Sequence, residues 1–200
     1  MITAILGGAM ERLELADWRA RVAALYLSDV DINGFRTGRD ALFAEHPQSP
    51  VSRDSFTGLR YFDPDPSFVV DLALTPAQGQ LEIDTGGEDG VVTYERVGIA
   101  ETPWGSLTLW WIHAYGGGLF LPFRDGTSGR ETYGAGRYLT DTIKGTHGRG
   151  VVPLPGGRVR LDFNFAYNPS CAYDDAWACP LAPYENRLAA EIRAGERSYH

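Results

Sequence analysis

The sequence predicts a mainly β (α+β) fold: an antiparallel barrel or strongly bent sandwich, with helices on its N-terminal side and one closing helix on its C-terminal side. Three observations carry this. Apolar residues recur every three or four positions in the first part of the chain and every second position from Phe56 onward, which is the change from a helical to a strand period. The 24 glycines and 12 prolines supply many tight turns, which suits short strands better than long helices. Segment 104–113 is apolar on both faces, as in a closed barrel or a helix-covered sheet.

The elements follow in order. Segment 11–26 reads as a helix, because Leu15, Trp18, Val22, Leu25 and Tyr26 make one apolar stripe. A short second helix over 39–45 is stopped by Pro47, and His46-Pro47-Gln48-Ser49-Pro50 forms a rigid connector with φ fixed at two prolines. Phe68, Val70, Leu72 and Leu74 alternate with Val69, Asp71, Ala73 and Thr75, a strand pattern. A turn over 76–79 follows, then a strand over 91–97. In 104–113, Leu107, Leu109 and Trp111 face one way and Trp110 and Ile112 the other. Gly116-Gly117-Gly118 turns the chain into 119–123. Pro155-Gly156-Gly157 signals a hairpin leading into 159–167, where Val159, Leu161, Phe163, Phe165 and Tyr167 line one face and Arg158, Arg160, Asp162 and Asn164 the other. Asn168-Pro169 ends that strand. A closing helix over 184–194 is predicted from Tyr184, Leu188 and Ile192, with Gly195 as its C-terminal cap.

With 200 residues and no long polar linker, a single domain is expected: a helical part over 11–47, a β part over 56–167, and a loop with a closing helix over 168–200. The net charge of −8 repels phosphate backbones and anionic headgroups, which weighs against nucleic-acid and membrane-surface partners. The apolar start Met1–Leu6 has no preceding basic residue and is too short for a secretory leader. No run of about twenty apolar residues is present to span a membrane. The expected location is the cytoplasm, with Cys171 and Cys179 as thiols.

Three segments could carry chemistry. The first, 123–138, crowds Asp125, Thr127, Ser128, Arg130, Glu131, Tyr133 and Arg137 among glycines. Its backbone N–H groups, hydroxyls and guanidinium groups suit a carboxylate, phosphate or sugar-like ligand. It lacks the Gly-Lys-Ser/Thr of a P-loop and the Rossmann fingerprint. Its plainer reading is a turn-rich hairpin whose Asp and Thr cap their own backbone. The second is the face of Arg160, Asp162 and Asn164: a buried polar cluster if it lines the interior, a solvated face if the apolar side is the core. The third is the stretch around Cys171 and Cys179. A nucleophilic thiol there would need a base or cation, such as His113 or His147, whereas a free Cys is more often a small buried hydrophobe. Four-ligand zinc binding by these Cys and His residues lacks the paired short spacings of zinc sites, and neither a metal nor a cofactor is indicated. Glu185 opens the expected last helix, where the dipole alone explains it.

Several of these stretches together resemble a known family. They are Thr127-Ser128-Gly129, 132–139, Leu161-Asp162-Phe163-Asn164, Ala166-Tyr167-Asn168-Pro169, Cys171-Ala172-Tyr173, Cys179-Pro180-Leu181 and Glu185-Asn186-Arg187-Leu188. With His46-Pro47, Ser49-Pro50, Phe56, Gly58-Leu59 and Tyr61-Phe62 upstream, they resemble the bacterial family called domain of unknown function 1684 (DUF1684), over about Trp18 to Gly195. Ala182 stands where family members often have a second proline. The resemblance implies no particular activity. It does give weight to Asp125, Thr127, Tyr133, Arg137, Asp162, Asn164, Asn168, Cys171, Cys179, Glu185 and Asn186.

Two readings follow. In one, a small-molecule ligand occupies a hollow in the barrel. Arg137 holds an anionic or carbonyl group, Asp162 and Asn164 orient it, and the loop from Asp125 to Gly129 closes over it. Tyr133, Asn168, Cys171 and Asn186 complete the ligand-binding set, and Asp162 or Glu185 serves any acid–base or hydrolytic step. In the other, the same residues form a structural network in a non-catalytic binding or interaction module. The sequence leaves catalysis and oligomeric state open.

Overall fold

The computed structural model describes residues 2–84, 90–177 and 179–200, with side chains from residue 8 onward. Met1, the first residue of the stretch weighed as a leader, lies outside the described residues. Two helices, α1 (Ile2–Leu27) and α2 (Ile32–Glu45), precede eight strands. These are β1 (Val69–Pro76), β2 (Gln80–Asp84), β3 (Val91–Thr102), β4 (Gly105–Ile112), β5 (Gly118–Phe123), β6 (Arg137–Asp141), β7 (Val151–Leu154) and β8 (Arg158–Asp162). No helix among the described residues is long and apolar enough to cross a membrane.

Both helices start earlier than the periodicity predicts. For α2 the overlooked signal is Asp31, whose carboxylate accepts a hydrogen bond from the Gly34 N–H at 2.8 Å and so caps the first turn. Gly38 then permits a close helix crossing, since a Cβ there would stand 2.7 Å from Leu25 Cδ1. Phe35, Arg39 and Phe43, each four residues apart, face inward.

The strands pair antiparallel in the order β6-β5-β4-β3-β1-β8-β7, with β2 also on β3. A bulge between Arg96 and Gly98 divides β3, so that Val91–Glu95 pairs with β2 and Gly98–Ala100 with β1. The predicted hairpin at Pro155-Gly156-Gly157 joins β7 and β8, with Leu154 opposite Arg158. The sheet comes close to closing into a barrel. Beyond β8 the chain bends back to β6, where Tyr138 and Tyr167 exchange N–H···O bonds of 2.8 and 2.9 Å.

Two cores share this sheet. Leu107, Leu109, Leu121, Phe123, Leu139, Val159, Leu161 and Phe163 fill the barrel interior. Trp110, Ile112, Phe120, Tyr94 and Tyr138 pack outward against Val22, Tyr26 and Phe35 of the helices. That explains the two apolar faces of β4. Trp111 differs from expectation, being 37% exposed.

Two elements need correction. The expected strand 159–167 ends at Asp162, because the Asp162 carboxylate accepts from the Asn164 N–H at 3.0 Å and starts a 3-10 turn, Phe163–Phe165. The turn sends Phe163 into the barrel, and Phe165 and Tyr167 to the helix side. The closing helix over 184–194 does not form. Only the 3-10 turn Tyr184–Asn186 does, and the chain beyond it is irregular, bending at residues 189 and 190, because its backbone groups are claimed by the barrel. Leu188 N–H donates to Arg124 O at 2.8 Å, and Gly126 N–H donates to Ala190 O at 2.8 Å.

Gly195 therefore does not cap a helix. It has φ +74°, and a Cβ on it would stand 2.5 Å from Ala166 O and 2.7 Å from Phe163 O. Gly195→Ala combines left-handed strain with a backbone clash and is expected to destabilise the protein by roughly 2–3 kcal/mol. Urea unfolding checks this as a lower midpoint at unchanged slope.

Candidate functional site

The glycine-rich segment closes on itself. Thr127 Oγ1 donates to the Asp125 carboxylate at 2.9 Å and meets Thr132 Oγ1 at 2.8 Å. Ser128 Oγ receives the Asp125 N–H at 3.2 Å, and Thr127 O accepts from the N–H groups of residues 130, 131 and 132. Asp125 also receives the Ile192 N–H at 2.6 Å. The segment thereby grips the tail.

Arg137, at the start of β6, is fully buried. Its guanidinium donates to Ala194 O, to Glu196 O at 3.1 Å and to Ile192 O at 2.8 Å, and lies 3.5 Å from Asp125 Oδ1. It also sits over the Phe123 ring, 5.1 Å from the centroid. Burial draws its pKa down and the Asp125 carboxylate works against that. An arginine in such a setting stays cationic, and its charge is matched by one carboxylate and three carbonyls.

Asn186 completes the clamp. The pairing of β4 with β5 ends at Trp110 opposite Phe120, and two residues further on the same register would set Thr108 opposite Pro122, where proline offers no N–H. The Asn186 carboxamide takes that place. It accepts from the Thr108 N–H at 3.0 Å and donates to Thr108 O at 2.9 Å and Pro122 O at 2.7 Å. It acts as a substitute peptide group.

Asp162 and Asn164 sit in a different arrangement. Asn164 donates to Asp162 Oδ1 at 3.0 Å and to Asp65 O at 2.9 Å, and accepts from the Asp65 N–H at 2.9 Å. It pins the segment before β1. Burial raises the Asp162 carboxyl above its ordinary value, opposed by the hydrogen bonds from Asn164. Arg160 points outward and forms a two-bond ion pair with Asp71, at 2.7 and 2.9 Å. Glu185 is paired with Arg96 at 3.0 Å at the surface. Among the described residues no hydrogen bond or ion pair joins Asp162 to Arg137 or to Glu185.

Sequence reasoning missed a buried ion pair. Arg39 of α2 meets Glu196 at 3.1 Å with both side chains enclosed, and the Tyr173 hydroxyl donates to Glu196. The Glu196 carboxylate also receives the Asn168 N–H at 3.2 Å, while Asn168 Nδ2 donates to Arg197 O at 2.8 Å. A signal was present: an arginine in the middle of the apolar stripe Phe35–Arg39–Phe43 needs a buried partner.

Cys171 and Cys179 meet in the loop after β8, and Tyr133, from the segment between β5 and β6, acts on Cys171. The Cys171 N–H donates to Cys179 Sγ at 3.3 Å, and both cysteines are free thiols, partly exposed. No group of three or more His, Cys, Asp or Glu among the described residues is arranged to hold a metal ion.

Three cavities are notable. A cleft of about 60 Å³ between helices and barrel is lined by Arg39, Tyr138, Thr146, Asn168 and Tyr173, which is room for a water or two. Two open grooves hold about 430 and 470 Å³. Leu13, Asp17 and Leu42 border the first, Arg53, Asp174 and Trp177 the second, and His46 and Pro47 border both. Arg137, Asp162 and Asn164 line none of the three.

Removing the guanidinium leaves Asp125 and three carbonyls without their partner. Arg137→Met is expected to cost about 3–5 kcal/mol, as for other broken buried pairs. Limited proteolysis checks the mechanism: cleavage should appear within residues 186–197 before the barrel unfolds.

The model of the family described as Protein of unknown function (DUF1684) matches residues 54–197. The solution NMR structure of an uncharacterised protein from gene locus rrnAC0354 of Haloarcula marismortui is similar to this chain. The likeness covers 84% of this chain and 94% of that one, at 36% sequence identity and a TM-score of 0.55. No curated protein matches the sequence.

Proposed function

The chain belongs to the DUF1684 family, and from that premise we propose that it is a non-catalytic binding module in which the polar signature residues are scaffold. The observation that carries this reading is how the polar signature residues are used. Arg137, Asp125, Thr127, Asn164 and Asn186 spend their hydrogen-bonding groups on backbone and on one another, which leaves them little to offer a ligand. The two open grooves that share His46 and Pro47 have the volume of small-molecule sites, about 300–1,000 Å³. Trp177, 41% exposed, gives one of them an aromatic wall, and Arg53 gives it a cation. A small molecule with an apolar body and a polar or anionic end fits that lining.

A second reading keeps Asp162 as an acid or base. It is favoured by one observation, the burial that raises that carboxyl, since perturbed carboxyls cluster at functional sites.

The experiment is a melting-temperature screen of the purified protein against metabolite mixtures. A true ligand at about one hundred times its Kd adds roughly 2.7 kcal/mol of stability. Trp177→Ala and Arg53→Ala are expected to abolish that shift while changing the unliganded protein by no more than about 0.5 kcal/mol. Asp162→Asn and Glu185→Gln are expected to leave the shift intact, and mass spectrometry of the ligand should show no turnover. Turnover that disappears in Asp162→Asn would overturn the binding-module reading in favour of the second.

A further inference from the structure

We propose that Cys171 and Cys179 form a redox-active dithiol, with Cys179 as the attacking thiolate and Cys171 as the resolving thiol, oxidised by small hydroperoxides to an intramolecular disulfide. The proposal rests on a different set of atoms from the binding reading and stands without it. The sulfur of Cys179 is surrounded by donors. The Cys171 N–H reaches it at 3.3 Å, and the Cys171 thiol and the Ser170 backbone favour its charged form. The Lys144 ammonium adds an attractive field. Behind Cys171, the Tyr133 hydroxyl favours the charged form of the Cys171 sulfur.

Donors aimed at a sulfur favour its thiolate. The Cys179 thiol is accordingly pulled down to about 6, first by the Cys171 hydrogen bond and against the opposing effect of burial. Cys171 is pushed far up, chiefly by giving its proton to Cys179. Burial, together with Cys171, raises Tyr133 to about 12, so it stays a donor. The charged and titratable groups facing Cys179 are therefore Cys171, Lys144 and Tyr138, with Tyr133 and Asp175 one step behind. Both cysteines are partly exposed, so a small oxidant can reach them.

In the first step Cys179 Sγ attacks one oxygen of a hydroperoxide. An S–O bond forms, the O–O bond breaks, and the departing alkoxide or hydroxide takes a proton from water. Sulfur loses two electrons to the peroxide and becomes a sulfenic acid. In the second step the Cys171 sulfur gives up its proton and attacks Cys179 Sγ. The S–S bond forms and the sulfenic oxygen leaves with that proton as water. The Cys171 backbone N–H is already within 3.3 Å of Cys179 Sγ, so the second step needs no large loop movement.

The test uses the reduced full-length protein and hydrogen peroxide. One equivalent should remove both free thiols, lower the intact mass by two hydrogens, and yield a peptide pair linking Cys171 to Cys179 with no disulfide between separate chains. In Cys171→Ser the reaction should stop at a sulfenic acid on Cys179 that dimedone traps. Alkylation of wild-type Cys179 by iodoacetamide should follow an ionisation near pH 6. In Cys171→Ala that midpoint should move toward about 8.5, the value of a free thiol, whereas Cys171→Ser, which keeps a donor, should move it less. Two outcomes overturn the proposal. One is peroxide that leaves both thiols intact or joins only separate molecules. The other is a wild-type alkylation midpoint at or above that of a free thiol.

Discussion

The burial of one guanidinium constrains the C-terminal third of this protein. Arg137 enters β6 with no water to solvate it, so its N–H groups must find acceptors inside. The two terminal nitrogens find them in the carbonyls of Ile192, Ala194 and Glu196, while Nε has no partner among the described residues. A helix would keep such carbonyls for its own ladder. The tail is irregular rather than helical, which frees the oxygens Arg137 requires. Asp125 closes the arrangement by holding the Ile192 N–H and the cation together. Asn186 then lets the same tail begin between two strands that cannot pair at Pro122.

A second ion pair ties the helices to this assembly. Glu196 is itself one of the residues that serve Arg137, through its carbonyl, and its carboxylate meets Arg39 of α2. The tail therefore lies between two buried cations, one from the barrel and one from the helical layer. Burial, followed by the Glu196 carboxylate, pushes the Tyr173 phenol well above its ordinary range, so it remains a donor to that carboxylate. These polar groups join the barrel, the tail and the helical layer.

Much of the fold was legible in the sequence. The stripe Trp18, Val22, Leu25, Tyr26 marked α1, the proline-glycine turn marked the β7–β8 hairpin, and the two-faced β4 announced a sheet covered on both sides. The family resemblance also picked out residues that do meet in space, such as Asp125 with Arg137 and Tyr133 with Cys171. The tail was misread for a definable reason. Leu188 and Ile192 lie four apart, and four is both close to one helical turn and an even number. An extended chain puts the same two residues on one face, together with Ala194. Periodicity is degenerate there, and only knowledge of Arg137's need for carbonyls decides it. The end of β8 at Asp162 was hidden in a similar way, because a carboxylate in an alternating strand pattern can also cap a turn. β6 was hidden because all five of its residues are buried, so it has no alternation to read.

The clamp also bears on the order in which the protein can be made. Arg137 precedes the Ala194 carbonyl it bonds by 57 residues, which is about 3–11 s of ribosomal elongation. During that interval β6 carries a cation whose acceptors have not yet been synthesised. Enclosing it early would strand the charge in an apolar interior. The nascent barrel must therefore stay ajar along β6, and its last seam is sewn only when the tail arrives.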